Sequence, residues 1–126
     1  MKLQPDRSDA QTISAHGPGW VAVGGEKITA SVILGSRGQR VQWAARFEDL
    51  GPEHFAQLAD MKVEVVIFGS GPRIRFPKPA WLAPLAAARI GIETMDTAAA
   101  CRTYNILAQE GRDVAAALIL ETESLR

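Results

Sequence analysis

The period of the hydrophobic pattern changes about forty residues into this chain. Trp20-Val21-Ala22-Val23, then Lys27 to Leu34, then Val41-Gln42-Trp43-Ala44 are short runs rich in β-branched or aromatic residues. Gly17-Pro18-Gly19, Gly24-Gly25 and Gly35-Ser36-Arg37-Gly38 separate them as turns. The pattern predicts an antiparallel hairpin followed by another strand, so that the first third is a β-meander.

Beyond Leu50-Gly51-Pro52 the period lengthens. Pro52 suits the first turn of a helix, with Phe55, Leu58 and Ala59 at helical spacing. Val63 to Phe68 is nearly all apolar and runs into Gly69-Ser70-Gly71, as expected of a strand covered on both faces. Pro77 and Pro79 interrupt the next segment, and Trp81 to Arg89 then reads as a helix. Ile90 to Met95 is a short strand, and Thr97 to Glu110 is a helix closed by Gly111. Val114 to Leu120 is a last buried strand before a polar tail. The order, a hairpin and strand followed by α-β-α-β-α-β, predicts a single α/β domain over residues 1–126. Its sheet should be mixed, largely parallel and flanked by helices, with residues 1–15 irregular or loosely ordered. Right-handed crossovers would bring the loops after 63–68 and 90–95 to one sheet edge, where open α/β sheets bind ligands.

Composition narrows the partners. Fourteen basic and fourteen acidic residues give zero formal net charge, so no global electrostatic footprint for nucleic acid exists. No apolar run approaches the roughly 20 residues that cross a bilayer. The polar start MKLQPDRSDAQ carries no secretory signal, and a single cysteine fits a reducing compartment. A cytoplasmic location is the expectation. One cysteine and two distant histidines offer no metal-ligand spacing, so neither metal nor cofactor is expected.

Candidate chemistry gathers at two strand ends. Gly69-Ser70-Gly71-Pro72 follows the buried strand but is not a dinucleotide fingerprint, because the third glycine is missing and Pro72 lacks an N–H. Arg73, Arg75 and Lys78 come next; three cations beside a glycine turn suit a carboxylate or phosphate, while Arg73 and Arg75 alternate around Ile74 as exposed strand residues would. Asp96 or Thr97 is a good N-cap for the next helix, whose alanines allow close approach to a sheet. On that helix Cys101 lacks an adjacent base and reads as a small buried residue. Glu93, in an apolar strand, calls for a cationic partner, with Arg102 or Arg112 the natural choices. Phe76, Pro77, Trp81 and the last strand are candidates for an exposed contact surface.

The blocks VVIFGSGPRIRFP and IGIETMDTAAACRTYNILAQEGRDVAAAL resemble a family of small bacterial and archaeal proteins of unknown function, whose eukaryotic member is the mitochondrial complex I assembly factor three. The likeness is densest from Val66 to Leu118 and takes in most of the chain. Gly69-Ser70-Gly71 stands where the family commonly has Gly-Thr-Gly, which keeps the hydroxyl. The resemblance implies an α/β domain with a mixed central sheet, and it brings no catalytic residue set.

Two functions follow as expectations. One is a non-enzymatic interaction or assembly protein with a protein partner, such as a membrane-complex subunit, and with no organised polar pocket. The other is a binder of, or enzyme on, a small anion, held by Gly69, Ser70, Gly71, Arg73, Arg75, Asp96, Thr97 and Arg102 where the two strands end. The first is preferred, because no acid/base pair at plausible spacing can be named.

Overall fold

In the computed structural model, which describes residues 9–122, two sheets form. Strands β1 (Ala15–Gly17), β2 (Trp20–Val23) and β3 (Glu26–Ile28) make a small antiparallel sheet. The main sheet contains β4 (Val32–Gly35), β5 (Arg40–Gln42), β6 (Val65–Gly69), β7 (Gly91–Met95) and β8 (Val114–Leu118), in the order β5-β4-β8-β6-β7. Helices α1 (Pro52–Ala59), α2 (Ala83–Ala87) and α3 (Thr97–Gln109) complete the α/β fold. The sheet is mixed, as expected, but evenly so. β6 pairs in parallel with β7 and β8, while β4 pairs antiparallel with β8 and β5.

The expected strand from Lys27 to Leu34 is broken in two. Its first half pairs with β2, and its second half crosses to pair with β8. The corner is held by buried Ser31, whose hydroxyl donates to the Ala45 carbonyl at 2.9 Å and accepts from the Leu120 N–H at 2.8 Å. The meander is therefore two pieces in different sheets. Of residues 1–15, residues 1–8 lie outside the described residues; further along, Ile13 is buried and Ala15 opens β1.

The central strands are covered on both faces, as their apolar runs predict. Ile67, Ala116 and Leu118 face α3 together with Val21 and Ile28 of the small sheet. Val66, Phe68, Ala115 and Ala117 face the other way, onto Trp43, Phe55, Leu58 and Leu85. The last strand is wholly buried at the centre of the sheet, so it cannot supply the contact surface expected of it.

Helix placement follows from the path of the chain. The β6-α2-β7 crossover steps outward to the sheet edge, whereas β7-α3-β8 steps back past β6. A constant crossover handedness then puts α2 and α3 on opposite faces, and their core contacts do lie on opposite faces. Register pairs Gly69 with both Met95 and Leu118, so the three parallel strands end side by side.

A candidate functional site at the ends of the parallel strands

The two predicted strand ends do meet. The Ser70 N–H donates to the Met95 carbonyl at 2.9 Å, and the Thr97 N–H to the Gly71 carbonyl at 2.9 Å. Thr97 also accepts from the Gly71 N–H at 2.9 Å and donates its hydroxyl proton to the Ile119 carbonyl at 2.8 Å. One threonine thus ties the exits of all three parallel strands. Asp96 is the N-cap of α3, accepting the Ala99 N–H at Oδ1 over 2.8 Å.

Ser70 is fully buried inside its own turn. Its hydroxyl contacts the Arg73 carbonyl at 2.8 Å and the Met95 carbonyl at 3.2 Å, and accepts the Arg75 N–H at 2.8 Å. Arg75 folds back onto the Ser70 carbonyl through Nη2 at 2.6 Å, forms an ion pair with Glu121, and lies 4.4 Å from the Phe47 ring centroid. Both members of that pair are largely buried, at 16% and 14% exposure. Arg75 therefore points inward.

This breaks the alternation expected around residue 74, because Arg73 is exposed but Arg75 is not. With Arg75 turned in, Ile74 and Phe76 project outward, 49% and 68% exposed. Of the predicted contact surface, Phe76 is exposed, whereas Pro77 is buried and Trp81 is half-buried, stacked on Phe55 at 6.0 Å between centroids. Sequence reasoning missed Ile74, and it placed Glu121 in a polar tail without function.

Glu93 and Arg102 do not form the expected pair. β7 is an edge strand, so Glu93 stands in solvent and needs no partner; Arg102 is exposed on α3. Arg112, the other option, pairs with Glu64 at 2.8 Å.

The remaining polar groups of α3 hold the N-terminal segment. Asn105 clamps Ile13, accepting its N–H and donating to its carbonyl, both at 2.8 Å. The Tyr104 hydroxyl donates to the Gln11 carbonyl. Burial pushes the Cys101 thiol up to about 12 and likewise raises Tyr104, so both stay protonated at neutral pH. Three polar side chains of this helix, Thr97, Tyr104 and Asn105, are thus engaged in joining elements. Among the described residues no group of His, Cys, Asp and Glu is arranged to hold a metal ion, and no helix is long and apolar enough to cross a membrane.

Beside these strand ends lies a crevice of about 620 Å³. Its walls are residues 71–72 and 96–98, the β8 exit at 119–122, and the turn 16–19 of the small sheet. Gly71, Asp96 and Thr97 line it, whereas Gly69, Ser70, Arg73, Arg75 and Arg102 do not.

Residues 13–119 match the family described as a protein of unknown function (DUF498/DUF598). The bovine NADH dehydrogenase [ubiquinone] 1 alpha subcomplex assembly factor 3 is 35% identical over 82 residues, which are 63% of this chain and 45% of that protein. The chain thus matches less than half the length of that relative. A crystal structure of a Bordetella parapertussis protein is 34% identical with a TM-score of 0.83, covering 89% of this chain and 97% of its own. The solution structure of a Bordetella pertussis protein, described as a Mth938-like domain, is 30% identical with a TM-score of 0.82, covering 99% and 96%.

Proposed function

This chain belongs to the DUF498/DUF598 family of proteins of unknown function, and on that premise we propose that it is a non-enzymatic interaction protein that helps a membrane-bound NADH dehydrogenase assemble. The observation that carries the reading is its identity with the bovine assembly factor. The geometry supports it from a second side. Ser70, Arg75, Thr97, Tyr104 and Asn105 are committed to contacts within the fold, and Cys101 is buried and protonated. Of the exposed large apolar side chains, Val41, Ile74, Phe76 and Ile106, two stand close together in the chain, Ile74 and Phe76, on a segment stiffened by Pro72, Pro77 and Pro79.

On this reading the protein works in the cytoplasm and docks a subunit of the complex through Ile74 and Phe76. Holding the two side chains outward before binding reduces the ordering cost of association. The test is genetic: delete the gene in its host and separate membrane complexes on a native gel. The expected result is a loss of fully assembled NADH dehydrogenase, restored by the wild-type gene. Normal amounts of the assembled complex in the deletion strain would refute the proposal.

A further inference from the structure

The crevice has features that the assembly role does not use. The exits of neighbouring parallel strands β6 and β7 diverge to opposite faces of the sheet, the arrangement that opens ligand crevices in α/β folds. The small sheet, whose Val21 and Ile28 pack into the core beneath α3, lays its 16–19 turn over this opening as a fourth wall. At about 620 Å³ the space falls within the range of small-molecule sites.

The wall chemistry selects a ligand. Pro18, Pro72, Ala98 and Leu120 supply apolar surface, and two carboxylates, Asp96 and Glu121, stand among the lining residues. Among the described residues neither lysine nor arginine lines it, and His16 is the one lining side chain able to take up a positive charge. The charge of Glu121 is offset by Arg75. The Asp96 side chain accepts a single hydrogen bond among the described residues, at Oδ1, and a carboxylate has room for about three more acceptor contacts. The α3 N-terminus offsets only about half a charge, leaving the crevice mildly negative. An anion would meet the Asp96 carboxylate and, among the described lining residues, no lysine or arginine, which runs against the anionic ligand that is the second expectation from the sequence.

We propose that the crevice binds a small organic amine, its apolar body between Pro18, Pro72 and Leu120 and its protonated nitrogen on the Asp96 carboxylate. The site stands independently of the assembly reading, because it uses none of the surface at Ile74 and Phe76.

The test is an amide-resolved NMR titration of the full chain at pH 7 and low salt. 2-Phenylethylamine, tryptamine and hexylamine serve as probes, with 3-phenylpropionate, indole-3-propionate and heptanoate as matched anions. The expected result is saturable shifts for at least one amine, centred on Gly71, Ala98 and Thr122, with each matched anion binding at least about tenfold more weakly. Asp96→Asn retains the capping oxygen and should keep the dispersed spectrum while losing about tenfold in amine affinity. Ala98→Leu, at an exposed wall position, should block the same shifts by filling the space. Three results each overturn the proposal: no saturable shift with any amine, anions binding as well as amines, or undiminished amine affinity in a folded Asp96→Asn variant.

Discussion

Asp96 carries two separable properties, a capping oxygen and a charge. Removing both with Asp96→Ala should cost about 1 kcal/mol of unfolding free energy, within a range of about 0.5–2 for lost N-caps. Asp96→Asn should stay within a few tenths of wild type, and urea unfolding of the two variants separates the roles. Cys101, on the same helix, links packing to pH. Burial raises its thiol from an ordinary 9.0 to about 12, so the folded state holds the proton more tightly than the unfolded chain. The associated stability is intact below about pH 9 and is lost as pH rises from there toward 12. Cys101→Ala should therefore remove part of the stability decline between pH 9 and 10, while Tyr104, also raised by burial, adds its own loss above about pH 10. A thiol reagent at pH 8 should label the native protein slowly and the urea-unfolded protein at once.

Between elements the decisive contact is that of β6 with α3. A Cβ on Gly69 would lie 3.0 Å from the Ala100 Cβ and 3.0 Å from both Cα and Oγ1 of Thr97. The Thr97 contact is backbone, so the helix itself would have to move. Gly69→Ala should cost about 1–3 kcal/mol, read as a lower urea midpoint. The sequence made these elements readable because their signals are local: Pro52 at a helix start, Asp96 as a cap, the alanine face of α3, and the apolar run before Gly69. The break at Ser31 was not readable, because it depends on Leu120, 89 residues away. Nor was the inward turn of Arg75, since it is directed toward Glu121, 46 residues along the chain. For the site, crossover logic placed Gly69–Gly71 beside Asp96 and Thr97. Its remaining walls come from the 16–19 turn and the β8 exit, whose approach only tertiary packing decides.

As a whole, the molecule is a mixed sheet with helices on both faces, and its polar side chains bind one element to the next. Its exposed apolar pair projects from a segment fixed by the buried Arg75–Glu121 ion pair. Arg75→Ala should therefore impair partner binding indirectly, by freeing that segment, and should also lower stability, since it leaves Glu121 without its ion-pair partner. Phe76→Asp changes the exposed face alone and should leave urea stability within about 0.5 kcal/mol of wild type. That variant gives the most direct measurement of the central claim. Tagged wild-type protein and Phe76→Asp are purified from host membranes under gentle detergent, and co-purifying NADH dehydrogenase subunits are quantified by mass spectrometry. The account predicts enrichment of at least one subunit with wild type and at least about a tenfold loss with Phe76→Asp. Equal recovery with both proteins, or no enrichment of any NADH dehydrogenase subunit with wild type, would contradict it.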